Sequence, residues 1–231
     1  MKKTCLKATA IIVAGGTGSR MGSEIPKQFL EVLGKPVISY TLNAFSKCDE
    51  ITDIIIVTLP EYLMYCKDIV DTFGFKKVRT IVPGGCNRCE SVRNGLKEVK
   101  DDCEIVAVHD GVRPMIEPKV ISNAIITASE YGCAAVGVKM KDTIKVADNN
   151  GFISHTADRD MLWQIQTPQV FKKDIINALY EDFSNDSIVA TDDCFLAEQA
   201  GYKIKIVEGS YENIKITTPQ DIYIMKGLLG G

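Results

Sequence analysis

Short runs of apolar, largely β-branched residues recur along this chain, and between them apolar positions return at helical spacing. Ala8–Val13, Ile54–Thr58, Thr80–Val82, Ile105–His109, Ala134–Val138 and Ile204–Val207 read as strands. Most are continuous rather than alternating, the pattern of strands covered on both faces. Pro36 opens a helix on which Val37, Tyr40, Ala44, Phe45 and Cys48 share one side. Pro60, Pro118 and Pro219 predict three further helix starts, and Glu90–Val99 and Asp192–Gln199 complete the set. Alternating strands and helices predict an α/β fold, a Rossmann-like, mostly parallel sheet flanked by helices.

Lys139–Trp163 breaks that rhythm. Thr143–Ala147 and Phe152–Thr156 read as two short strands around Asp148-Asn149-Asn150-Gly151, and Asn-Gly is a strong hairpin signal. Residues 139–162 are therefore expected to project as a β-arm from a single domain made of 1–138 and 163–231. An arm with open edges and apolar side chains is expected to pack on a second copy, giving a homodimer.

Composition narrows the class. Of 231 residues, 45% are hydrophobic and 25% charged, which excludes a disordered chain, a collagen-like fibre and a coiled coil. Lys+Arg number 27 against 30 Asp+Glu, a net charge of −3, which argues against a nucleic-acid partner held by bulk charge. Lys2, Lys3 and Lys7 precede the apolar Ala8–Ala14, but that run is too short for a signal peptide and leads straight into Gly15-Gly16. No stretch has the length of a membrane span, so a cytoplasmic protein with no membrane partner is expected. The eight cysteines are dispersed and expected to be free thiols. Cys86 and Cys89 form a CxxC, but a zinc site needs two more ligands, and His109 and His155 are the only histidines.

Four segments carry candidate chemistry. Ala14-Gly15-Gly16-Thr17-Gly18 follows the first strand, where glycines let the backbone turn tightly and present N–H groups to a phosphate. Met21 occupies the third glycine position of a dinucleotide fingerprint, and there is no GxxxxGK[ST]. Arg20 and Lys27 beside the loop suit a triphosphate better than an ordinary strand-to-helix turn does. Gly84-Gly85-Cys86-Asn87-Arg88 enters the Glu90–Val99 helix, whose start offers free N–H groups. Gly85, Arg88 and Ser91 there suit a base or phosphate, though a plain helix cap reads equally well. His109-Asp110-Gly111-Val112-Arg113-Pro114 ends an apolar strand, the end that faces the ligand crevice in open α/β sheets. Asp110 suits Mg²⁺ or a ribose hydroxyl, Arg113 a second anion, and His109 reads as a structural neighbour rather than a base. Thr143, Arg159, Thr167, Thr191 and Lys215 are scattered, and each alone reads as an ordinary polar residue at the surface; Thr191 is also a good helix cap.

Together these motifs carry a resemblance. AGGTGSRMG…PKQ resembles the signature of sugar-nucleotidyltransferase-like enzymes. HDGVRP, RDMLWQIQTPQVF, TDDC and NIKITTPQD, in that order from about Ala10 to Leu228, resemble the 2-C-methyl-D-erythritol 4-phosphate cytidylyltransferase family. The resemblance implies a nucleotidyltransferase-type fold and transfer of a cytidylyl group from CTP to 2-C-methyl-D-erythritol 4-phosphate. It implies that Ala14, Gly15, Gly16, Thr17, Gly18, Gly85, Arg88, Ser91 and Asp110 hold CTP and its Mg²⁺. It implies that Arg20 and Lys27, with Arg159 and Lys215, supply catalytic charge. Arg113, Thr143, Arg159, Thr167, Thr191 and Lys215 would position the polyol phosphate, Arg159 serving the neighbouring subunit's site. The closely related ribitol-5-phosphate cytidylyltransferases share most of these motifs. An NAD-dependent oxidoreductase is disfavoured by the broken fingerprint, and a non-catalytic nucleotide-binding module by the second set of cations. Cys86 and Cys89 depart from the family pattern and receive no role.

Overall fold

The computed structural model describes residues 6–16, 25–182 and 191–230. In chain order the strands are β1 (Ala8–Ala14), β2 (Glu31–Val32), β3 (Lys35–Pro36), β4 (Ile51–Thr58), β5 (Val78–Pro83), β6 (Ile105–Asp110), β7 (Cys133–Lys139), β8 (Lys145–Ala147), β9 (Ile153–Thr156), β10 (Trp163–Lys172) and β11 (Lys205–Glu208). The helices are α1 (Val37–Ser46), α2 (Leu63–Phe73), α3 (Arg88–Leu96), α4 (Pro118–Tyr131), α5 (Lys173–Asp182), α6 (Asp193–Gln199) and α7 (Pro219–Leu228). The main sheet runs β11-β7-β10-β6-β1-β4-β5 among the described residues. Only β10 is antiparallel to its neighbours β6 and β7; the other pairings are parallel.

The continuous apolar runs have a direct cause. In β1, Ala8, Ala10 and Ile12 face one core cluster and Ile11 the other. In β4, Ile54 and Ile56 face the first while Ile55 and Val57 face the second. Ile38, Leu42 and Phe45 of α1, with Ile121 and Ile125 of α4, cover the first face. Val92 of α3, Leu179 of α5 and Leu196 of α6 cover the second. With neither face of β1, β6 or the end of β4 left to water, apolar residues run on without alternating. A third cluster, Val32, Val37, Val112, Ile216 and Met225, seats α7 and the segment before it beside β6.

Several boundaries move. Pro36 ends β3 and sits at the N-cap of α1 rather than inside its first turn. Pro60 opens a short 3-10 turn that runs into α2. α3 begins at Arg88 because Asn87 caps it, its side chain accepting from the Glu90 amide. Asp192, not Thr191, caps α6. β10 and α5 lie where no element was expected.

Residues 139–162 leave the sheet at the end of β7 and return into β10. Lys139 pairs with Trp163, and the Met140 amide bonds the Leu162 carbonyl at 3.1 Å. Within this excursion β8 and β9 form a separate two-stranded antiparallel sheet. Its turn is held by Asp148, whose Oδ1 accepts from the amides of Asn150 and Phe152, both at 2.9 Å. Gly151 has a φ of 86°, a conformation costly for residues with a Cβ. No helix among the described residues is long and apolar enough to cross a membrane. The seven described cysteines are free thiols.

Candidate active site

The C-terminal ends of β1, β4, β5 and β6 open on one side of the sheet, where ligands bind in open α/β folds. A cavity of about 340 Å³ lies there, lined by Val13–Gly16, Lys27, Gln28, Gly85–Arg88, Ser91, Asp110, Val112 and Lys215. Thr17, Gly18 and Arg20 lie outside the described residues. Gln28, buried, ties the turn carrying Lys27 to the end of β1: its Nε2 donates to the carbonyls of Ala14 at 2.5 Å and Gly16 at 3.1 Å. Lys27 is thereby held at the mouth of the glycine loop.

The loop between β5 and α3 forms the opposite wall. The Gly84 amide donates to the Thr58 carbonyl at 2.6 Å, and the Gly85 amide to Ser91 Oγ at 3.1 Å. Ser91 Oγ in turn donates to the Asn87 carbonyl, and Glu90 accepts the Cys86 amide at 2.6 Å. A Cβ on Gly85 would lie 2.2 Å from Glu90 Cβ, so this turn requires glycine. Cys86 lines the cavity and is exposed, whereas Cys89 is half-buried in α3.

Asp110 sits at the centre. Lys215 Nζ lies 2.9 Å from its Oδ2 and Arg113 Nε 3.6 Å, while Arg88 Nε is 3.9 Å from Oδ1. Burial alone would raise the Asp110 pKa, but Lys215, Arg88 and Arg113 outweigh it and bring it down to about 2. The carboxylate is therefore ionised at neutral pH and surrounded by three cations. Arg88 also grips Asp193, its Nη2 2.6 Å from Oδ2. Burial pulls the Arg88 pKa down, yet Asp193 and Asp110 reverse this and raise it.

Beneath Asp110, His109 and Thr167 are buried. The Asp110 amide donates to Thr167 Oγ1 at 3.1 Å, and that hydroxyl lies 3.0 Å from His109 Nδ1. The Arg113 carbonyl, 3.2 Å from Nε2, can only accept, so in the neutral ring Nε2 carries the proton and Nδ1 accepts from the Thr167 hydroxyl. Burial pushes the His109 pKa down to about 3, keeping the ring neutral. His109, fully buried with both ring nitrogens engaged, thus supports Asp110 and Arg113 and does not line the cavity.

A second cavity of about 380 Å³ adjoins the first and shares Lys215 with it. Arg113, Gln164, Gln166, Tyr211 and Asn213 line it. Asn213, buried, donates to Gln166 Oε1 and to the Thr167 carbonyl, both at 3.0 Å, while its own carbonyl accepts from Arg113 Nη1 at 2.9 Å. The first cavity thus unites Ala14, Gly15, Gly16, Lys27, Gly85, Arg88, Ser91, Asp110 and Lys215 of the sequence-derived set, and the second adds Arg113. Thr143 and Thr191 are exposed and line neither cavity. Arg159 lies on the excursion, its guanidinium bonded to the Lys141 carbonyl at 3.4 Å. Gln28, Gln166 and Asn213 were missed; they sit inside the PKQ, RDMLWQIQTPQVF and NIKIT strings, but their bonds link residues far apart in sequence.

Among the described residues no group of three His, Cys, Asp or Glu side chains could hold a metal. One carboxylate on a cavity wall fits Mg²⁺ held jointly with substrate phosphates rather than by an all-protein cage.

The family model for 2-C-methyl-D-erythritol 4-phosphate cytidylyltransferase matches residues 8–230. This chain belongs to that family. A relative of that name from Caldanaerobacter subterraneus subsp. tengcongensis is 46% identical over 220 residues, 95% of this chain and 97% of the relative. Another from Clostridium botulinum (strain 657 / Type Ba4) is 44% identical over 223 residues, 96% of this chain and 97% of the relative. The crystal structure of 4-diphosphocytidyl-2C-methyl-D-erythritol synthase from Anaerococcus prevotii superposes with a TM-score of 0.87 at 35% identity. It covers 98% of this chain and 97% of its own.

Proposed function

We propose that this chain transfers a cytidylyl group from CTP to 2-C-methyl-D-erythritol 4-phosphate, releasing pyrophosphate and 4-diphosphocytidyl-2-C-methyl-D-erythritol, a precursor in non-mevalonate isoprenoid synthesis. CTP occupies the cavity of the glycine loop, and the polyol phosphate the adjoining one. The observation that carries the reading is Lys215, which lines both cavities and contacts Asp110 at 2.9 Å.

A phosphate oxygen of the polyol phosphate attacks the α-phosphorus of CTP; the new P–O bond forms as the bond to pyrophosphate breaks. The second pKa of a phosphate monoester is about 6, so the nucleophile is already an anion near neutral pH and no general base is needed. This agrees with a neutral His109 whose two ring nitrogens are both engaged. What the reaction needs is the approach of two polyanions, and hence positioning and charge. Lys215 and Arg113 face the incoming phosphate. Lys27, with Arg20, faces the triphosphate. Ala14–Gly18 and Gly85 present the backbone to the nucleotide, with Ser91 and Arg88 beside them. Asp110 would hold Mg²⁺, which neutralises triphosphate charge when bound. The working form is a cytoplasmic homodimer in which residues 139–162 bring Thr143 and Arg159 to the partner's site, with Thr191 joining the polyol-phosphate subsite and buried Thr167 supporting it from beneath Asp110.

The test is pyrophosphate release with CTP and Mg²⁺, comparing 2-C-methyl-D-erythritol 4-phosphate with ribitol 5-phosphate. Turnover on the first alone is expected. Turnover on the second alone would move the protein to polyol-phosphate activation with the same mechanism, and silence on both with CTP bound would overturn the substrate assignment.

A further inference from the structure

Arg88 is the cavity's most tightly held cation, and the residues that hold it come from a remote part of the chain. Asp193 is fully buried. One carboxylate oxygen takes Arg88 Nη2 at 2.6 Å, and the other accepts the Tyr180 hydroxyl. Burial raises the Tyr180 pKa, so it stays a neutral donor. Asp193 is itself clamped. Gln169 Oε1, on β10, accepts the amides of Asp193 at 2.9 Å and Cys194 at 3.0 Å. Gln169 Nε2 donates to Asp192 Oδ2 at 2.7 Å, and Asp192 Oδ1 caps α6 by accepting the Phe195 amide at 2.8 Å. The start of α6 is thus fastened to β10, with Asp193 directed at Arg88 on the cavity wall.

Such a buried ion pair is weak grounds for stability, because well-packed apolar residues of similar volume often serve as well. Its position suggests another use. Arg88 lines the cavity, and a guanidinium left to itself carries rotamer entropy that a ligand would have to remove. We propose that Asp193 is a positioning residue that, braced by Tyr180 and Gln169, fixes the Arg88 fork before the nucleotide arrives. This rests on the cytidylyltransferase reading for the identity of the nucleotide.

The variants are Asp193→Asn, which keeps the volume and removes the charge, and Tyr180→Phe, which removes one brace. CTP affinity by calorimetry, the KM for each substrate and the thermal midpoint are measured for both. Asp193→Asn is expected to weaken CTP about tenfold, the lower end for one charge-assisted hydrogen bond, with the polyol-phosphate KM within about twofold of wild type. Tyr180→Phe is expected to shift CTP about threefold in the same direction. Unchanged CTP affinity in a folded variant overturns the proposal, as does equal weakening of both substrates, which marks general distortion. If Asp193→Asn does not fold, Tyr180→Phe decides alone. If wild type binds CTP but releases no pyrophosphate, the reaction assignment fails while the binding data still judge Asp193. If wild type does not bind CTP, both fail.

Discussion

The wall around Asp110 and the β8–β9 arm belong to one proposed site but are built in opposite ways. The wall is interlocked: Asp110 with Thr167, Arg88 with Asp193 and Arg113 with Asn213 are bonds across 57, 105 and 100 residues of chain. Thr167, Asp193 and Asn213 are buried. The arm shows every residue of β8 and β9 to solvent, with Phe152 73% and Met161 77% exposed. Groups aimed at developing charge are effective when the fold has already fixed them and removed their water. The wall meets that condition within one chain. The arm does not, and it presents the apolar side chains of an interface instead. On the proposed reading a single chain builds the nucleotide half of the site, and association finishes the second-substrate half.

The largest expected effect breaks the wall. Lys215→Ala should lower kcat about 10²–10³-fold, the scale of one preorganised donor. Lys215 follows Ile214 and precedes Ile216, whose amide is bonded to the Val112 carbonyl at 2.9 Å, so truncating its side chain leaves the strap seated. A near-wild-type kcat at an unchanged thermal midpoint would remove Lys215 from the mechanism.

Next comes the pH dependence of the wall. The native His109 pKa of about 3 lies below the ordinary 6.5 because of burial. Below pH 6.5 the unfolded chain takes up a proton that the native ring refuses, so stability is complete above that pH and declines as pH falls toward 3. The loss between pH 7 and pH 5 should be about 2 kcal/mol. Denaturant unfolding of His109→Gln should lack this decline, at the cost of lower stability at pH 7. An identical pH profile in the variant would show that the ring is protonated in the fold. Asp110 acts lower: its native value of about 2 lies below the unfolded carboxylate range, so its contribution is lost only as pH falls from about 4 through 2.

On the arm, Arg159→Ala should raise the polyol-phosphate KM about tenfold, one exposed charge contact, and leave CTP affinity and thermal midpoint unchanged. Mixing it with a Lys215→Ala chain should restore part of the activity, since one of the two sites in a mixed dimer is then intact. No recovery at any mixing ratio would confine each site to one chain.

How much of this was legible follows the same division. β1, β4 and β6 announce themselves because their side chains are apolar on both faces. β10 does not: Gln164, Gln166, Thr167, Pro168 and Gln169 carry no strand pattern, yet Gln166, Thr167 and Gln169 are buried. They are polar because they hold Asn213, Asp110 and the start of α6, so a strand at the centre of the sheet carries the composition of a surface. α5 has Ile176, Leu179 and Tyr180 at helical spacing but no capping signal at its start. The glycine loops and Asp110 could be found from local chemistry. The bond from Asp193 to Arg88 could not, because local pattern holds no information about contacts 105 residues apart.

The smallest effect sharpens the comparison most. Phe152 packs on no described core cluster and is 73% exposed, so replacing it removes little that folding buries. Phe152→Ser should therefore change the unfolding free energy of the separated chain by less than about 0.5 kcal/mol, as for ordinary surface positions. The same substitution should weaken self-association, since an aromatic anchor buried between two chains contributes far more than one left in water. Unfolding measured well below the dissociation concentration, beside sedimentation above it, separates the two effects. A large loss of stability in the separated chain would mean that the arm folds as part of the domain, and the contrast with the wall would disappear. Loss of association alone, with CTP affinity kept and polyol-phosphate turnover reduced, would establish that the two halves of the site are stabilised by different events: folding for one, meeting a second chain for the other.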